Sequence, residues 1–357
     1  MEISYPPRIQ LARLPTPLQP LDRITEKFST PHGGPRIWVK RDDLTETAMS
    51  GNKLRKLEFV AGQAVAQGCD TLITCGGVQS NHCRTTALVG ARLGMRVQLI
   101  LRGELDGIPD GNLLVDQLAG ASTAFYPPRQ YFEELPELFS HWQEFYAQRG
   151  HKAFPIPTGA SDGLGIWGYI AASEELLADC SARGFVPEHI VCATGSGGTQ
   201  AGLTLGCQLL ASTARVTGYA VCDNADYFQS KVRADVRHWS ALTKSDIDEN
   251  TLNINVNADY IGPGYALAEE PVYRAIADIA SLEGLLLDPV YTGKAFLGCC
   301  RSSTGAVTET VKTWYSCIPA VNSDCSRTGK SSLFFCEWGY YCSTVAEAAN
   351  LRSKLQQ

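Results

Sequence analysis

No stretch of the 357-residue sequence is apolar for long enough to cross a bilayer, so no membrane-spanning element is expected. No basic run stands out either. The 31 Lys and Arg are outnumbered by 37 Asp and Glu, a net charge of -6, and this excludes the electrostatic footprint of a nucleic-acid binder. The opening Met1-Glu-Ile-Ser-Tyr-Pro-Pro lacks the basic-then-apolar order of an export signal, which makes a cytoplasmic protein the expectation. Cysteine is not scarce, at 13 residues, but there is no CxxC pair and no Cys/His cluster at zinc spacing, so no metal site is expected. Without an export signal those thiols should be reduced. Cys69, Cys75, Cys83, Cys192 and Cys207 lie in apolar surroundings and read as small core residues. Short-period repeats and low-complexity linkers are also lacking. What remains is an ordinary globular composition, 44% hydrophobic and 19% charged, long enough for two domains.

Residues 1–37 are irregular and proline-rich, and Ile37-Trp-Val-Lys40 reads as a short strand. Apolar residues at Leu54, Leu57, Phe59, Val60 and Ala64 predict a helix from Lys53 to about Gln67. Strand Asp70–Thr74, a tight loop Gly76–Ser80, helix Asn81–Leu93 and strand Arg96–Leu101 then form a βαβ unit, which implies a parallel sheet with a right-handed crossover. A second unit follows: strand His189–Ala193, glycine loop Thr194–Thr199, helix Gln200–Ala211 and strand Arg215–Ala220. Two such units predict two α/β domains facing one cleft, with ligands beyond the carboxyl ends of the strands.

Four features carry chemistry. Lys53 stands at the start of a helix in Ser50-Gly-Asn-Lys-Leu-Arg-Lys-Leu-Glu-Phe59. The positive end of the helix dipole disfavours a cation there and so favours the neutral amine that attacks an aldehyde or accepts a proton. Arg55 and Lys56 are expected to be solvated. The loop Gly195-Ser196-Gly197-Gly198-Thr199 opens a helix and lacks the Gly-Lys-Ser/Thr ending of a Walker A motif. It suits a phosphate monoester, and equally a ligand-free βα turn. Gln79-Ser80-Asn81-His82 also opens a helix, where amides and short polar side chains suit a carboxylate or phenolic oxygen, and Ser80 or Asn81 serves as the cap. Tyr265 and Tyr291 lie in glycine-containing loops, where reactive side chains are commonly held. Taken together, a lysine for an aldehyde, a glycine cradle, a partner for a ring oxygen and a grip on a carboxylate fit pyridoxal 5'-phosphate.

Ser50–Phe59, Val78–His82, Thr194-Gly-Ser-Gly-Gly-Thr-Gln-Ala-Gly-Leu203 and Leu287-Asp-Pro-Val-Tyr-Thr-Gly-Lys-Ala295 resemble the D-cysteine desulfhydrase and 1-aminocyclopropane-1-carboxylate deaminase family. Leu14–Leu18 and Lys40–Asp43 match its opening segment, and the resemblance runs from about residue 8 to about 298. It implies fold type II of the pyridoxal phosphate enzymes, the tryptophan synthase β-like α/β fold, with two parallel-sheet α/β/α domains and the site between them. The domains expected are a large one, 1–52 plus 166–357, and a small one, 53–165. The resemblance also implies roles. Lys53 bonds the cofactor and then takes the substrate α-proton. Asn81 contacts the ring oxygen, and Gly195, Ser196, Gly197, Gly198 and Thr199 hold the phosphate. Ser80, Asn81, His82 and Thr292 border the substrate, with Ser80, Tyr265 and Tyr291 assisting catalysis and Tyr291 favoured for proton transfer. The partner implied is a small amino-acid substrate, in a homodimer.

The deaminase branch carries Glu directly after the second loop tyrosine, whereas this chain has Thr292, which resembles the desulfhydrase branch. α,β-Elimination of D-cysteine is therefore expected, with L-cysteate and aminocyclopropane-carboxylate as alternative substrates, and a non-catalytic cofactor-binding protein as the alternative outside enzymes. After Gly298 the resemblance fades. Six of the 13 cysteines fall here (Cys299, Cys300, Cys317, Cys325, Cys336 and Cys342). The family's His-Thr-Gly-Gly-type loop, whose Thr meets the pyridine nitrogen, is missing after the apolar run Ser332–Phe335. The tail reads as translated outside the ancestral frame, which leaves Ser332, Glu337 and Ser343 as candidates for that contact and makes an impaired enzyme the corollary.

Overall fold

The protein is described by a computed structural model covering residues 3–29, 34–105, 107–303 and 311–316. Along the chain, β1 (Leu18–Pro20), α1 (Asp22–Phe28), β2 (Arg36–Arg41) and α2 (Asn52–Ala66) lead into β3 (Thr71–Gly77), α3 (Asn81–Leu93), β4 (Arg96–Arg102), α4 (Gly111–Leu118) and β5 (Ser122–Tyr126). Then come α5 (Pro128–Glu133), α6 (Leu135–Ala147), β6 (Ala153–Pro155), α7 (Trp167–Ala182), β7 (His189–Thr194), α8 (Gly198–Leu209) and β8 (Arg215–Ala220). The described chain closes with α9 (Ala225–Thr243), β9 (Asn255–Asn257), α10 (Glu270–Glu283), α11 (Thr292–Ser303) and β10 (Val311–Ser316).

These strands form two sheets. One has the order β5-β4-β3-β6, is parallel throughout, and lies wholly within residues 53–165. The other has the order β1-β2-β10-β7-β8-β9 and is parallel except for β1. Each is covered on both faces, and the period-2 alternation of the strands shows how. In the smaller sheet Leu72, Leu99 and Leu101 pack with α2, α3 and α4, while Ile73, Cys75 and Ile100 face Tyr131, Leu138 and Tyr146 of α5 and α6. In the larger sheet Ile190, Cys192 and Val216 pack on α7 and α8, while Ile37, Val39, Val191 and Tyr219 pack on α1, α10 and α11. The result is two α/β/α layers, as fold type II requires.

β10 occupies the slot between β2 and β7, with Thr313 opposite both Trp38 and Ile190. The apolar run Ser332–Phe335, with Glu337 and Ser343, lies outside the described residues. Val311-Lys-Thr-Trp-Tyr-Ser316 is rich in β-branched and aromatic residues, the composition a central strand favours.

α2 joins the two halves. Leu54, Leu57, Val60, Ala61 and Ala64 belong to the core of the smaller sheet, whereas Phe59 enters a cluster with Ile166, Trp167, Ala201 and Trp239. Every residue of α2 from Leu54 to Gly62 is buried, so the expectation that Arg55 and Lys56 are solvated is corrected: they are 1% and 0% exposed. Arg55 makes a bidentate pair with Asp42 (Nε to Oδ2 3.0 Å, Nη2 to Oδ1 2.8 Å) and also donates to Glu175 and Thr16. Asp42 further accepts from Tyr169 Oη at 2.7 Å and Thr16 Oγ1 at 2.9 Å. Lys40 adds a second buried cation to Glu175 and Asp179. One turn on, Glu58 accepts the backbone N–H groups of Leu11 and Ala12 and the Arg8 guanidinium, which pins the N-terminal segment to α2.

Removing one member of a buried pair strands the other, at a cost of about 3–5 kcal/mol. Arg55→Met should therefore lower the unfolding free energy by about that much in a urea titration. Burial alone would raise the Glu175 carboxyl, but Arg55 and Lys40 hold it at about 2, below the ordinary 4.5. The unfolded chain then binds the more protons, so this contribution is fully present above pH 4.5 and is lost as pH falls toward 2. Arg55→Met should flatten the acid limb of the stability curve within that window.

Candidate active site

α2 opens at Gly51, whose φ of 101° is in the region glycine tolerates, and Lys53 is its second residue. Arg55 faces the buried carboxylates, while Lys53 projects toward the glycine loop between β7 and α8. The approach is close: a Cβ placed on Gly159 would collide with Ser196 Oγ and lie 3.0 Å from Lys53 Nζ. A Cβ on Gly198 would lie 2.6 Å from Ser161 Oγ and 2.8 Å from Lys56 Nζ, and one on Gly195 would lie 2.9 Å from Tyr291 Cε1. Glycine is thus needed on three sides of one space, ringed by Lys53, Lys56, Ser161, Ser196 and Tyr291.

The loop residues Gly195, Ser196 and Gly197 precede α8, which begins at Gly198 and Thr199, two residues earlier than the apolar spacing suggested. Ser161 Oγ lies 2.8 Å from Ser196 Oγ and accepts the Gly198 N–H at 3.1 Å. Asn52 Nδ2 donates to Thr199 Oγ1 at 3.0 Å, tying the first turn of α2 to the first turn of α8. Lys56 Nζ donates to Gly159 O and to Ser161 Oγ at 3.2 and 3.3 Å. Lys231 pairs with Asp235 and donates to Ser161 O at 2.9 Å, fixing the far wall. Helix-end amides, two hydroxyls and a buried lysine amine are the donor types that a phosphate group requires. Sequence reasoning missed Lys56, Gly159, Ser161 and Lys231. The spacing of Lys56 from Lys53 was the available signal, since residues three apart share a helix face.

Ser80 caps α3, its Oγ accepting the Cys83 N–H at 3.2 Å. Asn81 is oriented by its neighbours. Arg84 Nη1 can only donate, and it bonds Asn81 Oδ1 at 3.1 Å and Asn112 Oδ1 at 2.9 Å. Asn112 Nδ2 then donates to Asn81 Oδ1 at 2.9 Å and to Gln79 O at 2.8 Å. With both donors on its oxygen, the Asn81 amide presents its NH₂ group as a donor, as a phenolate or carboxylate oxygen requires. Beneath Arg84, burial pushes the Asp116 carboxyl up to about 8, so it is mostly protonated at neutral pH.

His82 is buried. Thr74 Oγ1 donates to Ile156 O at 2.9 Å, so the 2.8 Å contact is His82 Nε2–H donating to Thr74. That tautomer leaves Nδ1 as a bare, buried acceptor with no partner among the described residues. Burial, then the charges of Lys53 and Lys56, push His82 well below 6.5, so its ring is neutral. Tyr265 and Tyr291 meet with their hydroxyls 2.5 Å apart. Burial and the Tyr265 phenol push Tyr291 well above 10, so it holds its proton at neutral pH. Lys294, anchored to Ile261 O and Gly264 O, fixes the Tyr265 loop against α11. Thr292 does not offer a free hydroxyl: Oγ1 accepts the Asp288 N–H at 2.9 Å and donates to Asp288 Oδ2 at 2.5 Å.

The structure thus brings Lys53, the residues 195–199 and Tyr291 together, with Tyr265 bonded to Tyr291, turns His82 inward, and commits the Thr292 hydroxyl to Asp288, whose carboxylate accepts the Tyr291 and Thr292 N–H groups at the start of α11. Comparison with known proteins identifies the family. Residues 9–310 match the family described as pyridoxal-phosphate dependent enzyme. A putative 1-aminocyclopropane-1-carboxylate deaminase of Thermotoga maritima is 42% identical over 292 residues, 82% of this chain and 90% of that one. The mitochondrial bifunctional D-cysteine desulfhydrase/1-aminocyclopropane-1-carboxylate deaminase of Arabidopsis thaliana is 39% identical over 314 residues, 85% and 74% of the two chains. A crystal structure of an ACC deaminase homologue matches with a TM-score of 0.77 at 33% identity, covering 87% of this chain and 91% of that one.

A buried ammonium at the cradle should add a charge-assisted bond to a phosphate. Lys56→Met is expected to weaken pyridoxal phosphate binding about tenfold or more, read by titrating the visible absorbance of the protein with cofactor. Binding as tight as that of the wild type would contradict the assignment.

Proposed function

Because this chain belongs to the pyridoxal-phosphate dependent enzyme family, in the group of 1-aminocyclopropane-1-carboxylate deaminases and D-cysteine desulfhydrases, we propose that it is a lyase removing the β-substituent of a small D-amino acid, D-cysteine foremost. The observation that carries this reading is the convergence of Lys53 with the glycine cradle at Gly159 and Ser196. When bound, pyridoxal phosphate withdraws electrons from the substrate α-carbon. The cradle 195–199, with Lys56 and Ser161, would hold the phosphate, and Asn81 would donate to the ring oxygen. Ser80 and the first amides of α3 hold the substrate carboxylate. Lys53 is the base that takes the α-proton. The protonated Tyr265–Tyr291 pair is the proton source nearest the departing group. The carbon–sulfur bond breaks with its electrons on sulfur, and D-cysteine plus water gives pyruvate, ammonia and hydrogen sulfide.

Thr292 supports elimination over ring opening through what it cannot do. It places no carboxylate beside Tyr291, and its hydroxyl is already bonded to Asp288. The relatives' names favour a second reading, deamination of 1-aminocyclopropane-1-carboxylate. The same reading takes 53–165 as the small domain and 1–52 with 166–357 as the large one, in a cytoplasmic homodimer. Product assays should show pyruvate and sulfide from D-cysteine at a higher kcat/KM than ammonia from 1-aminocyclopropane-1-carboxylate, with Lys53→Ala slower by at least about a thousandfold. Faster turnover of the cyclic substrate would overturn the choice of reaction.

A further inference from the structure

Arg102 ends β4 directly opposite Gly77, at the carboxyl edge of the smaller sheet, where ligands of parallel sheets bind. Its guanidinium is within reach of the loop that leads to Ser80: a Cβ on Gly77 would lie 3.7 Å from Arg102 Nη2, and a Cβ on the next residue, Gly103, would lie 2.8 Å from Val78 Cγ2. On its other side lies the opposite wall of the cleft. Arg102 Cζ is 5.8 Å from the centre of the Tyr265 ring, and Tyr265 in turn bonds Tyr291. Two further rings hold it from behind, Phe132 at 4.9 Å and Tyr131 at 5.8 Å.

Among the described residues no carboxylate lies within salt-bridge distance of Arg102, whereas Arg8, Arg41, Arg55, Arg96 and Arg237 each have one. Aromatic faces hold a guanidinium in place without neutralising it. Arg102 is therefore a positioned cation with its hydrogen-bonding fork uncommitted to any acid. It stands between the loop assigned to the substrate carboxylate and the tyrosines assigned to the departing group.

We propose that Arg102 forms a subsite for a negatively charged β-substituent, so that the enzyme selects amino acids whose side chain carries a thiolate, sulfonate or carboxylate over neutral isosteres. The role is one of specificity and rests on the lyase reading for the position of the substrate. A planar fork suits an oxyanion in two-point contact, and the same charge favours a thiolate as it leaves.

Aspartate and asparagine differ in side-chain charge at nearly equal size. Calorimetric binding of both enantiomers of each to the cofactor-loaded enzyme should show one enantiomer of aspartate binding at least about tenfold more tightly than its asparagine counterpart. Arg102→Met should bring that ratio close to one, and Arg102→Lys should keep part of it. An aromatic-bound strut without the proposed role would weaken both ligands together and leave the ratio intact, a result that overturns the subsite. Equal binding of the two ligands by the wild-type enzyme, a measurement needing no variant, overturns it as well. Because the ratio is read from binding, it is independent of whether D-cysteine is turned over, and failure of the subsite is distinct from failure of the lyase assignment.

Discussion

The bidentate pair between Arg55 and Asp42 is the interaction on which the rest of the arrangement depends. Both side chains are out of water, and Thr16, Tyr169 and Glu175 satisfy their remaining hydrogen-bonding capacity. A buried pair of this kind adds little net stability over an apolar replacement, but it tolerates only one geometry. Here that geometry sets the first turn of α2 relative to β2 and α7. Lys53 is two residues away on the same turn, so its direction into the cleft follows from the pair. The amphipathic logic of a surface helix does not apply, because both cores enclose α2.

The cleft is then organised by partial neutralisation. Lys56 and the amide end of α8 favour an anion at one end, while burial and two nearby ammonium groups keep His82 uncharged. Burial likewise keeps the Tyr291 phenol protonated. Donor-only partners remove the remaining ambiguity: Arg84 fixes the orientation of two amides, and Lys294 fixes the loop carrying Tyr265. Around the cleft, the fold spends its polar contacts on orientation more than on stability.

Much of this was legible in the residue pattern. The limits of α3 and β8 agree with their apolar spacing, and Ser80 caps α3 as its position before a helical run implied. Arg55 and Lys56 were misread because periodicity assigns charged residues to water and carries no information about a second core on the far side of a helix. Gly159 and Ser161 escaped notice because they lie in a short turn with no repeating pattern; only contact across more than a hundred residues reveals their part in the cradle. Thr292 was read by its chemical type alone, and its commitment to Asp288 depends on a local turn that type does not specify.

In the proposed site the Arg55–Asp42 pair directs Lys53, and no other lysine, at the cofactor aldehyde. The most direct measurement is borohydride reduction of the cofactor-loaded protein, followed by proteolysis and mass spectrometry of the labelled peptide. A single pyridoxyl-phosphate label on Lys53 is expected. A label on Lys56, Lys231 or Lys294, or no label on a protein that retains its visible absorbance, would contradict it.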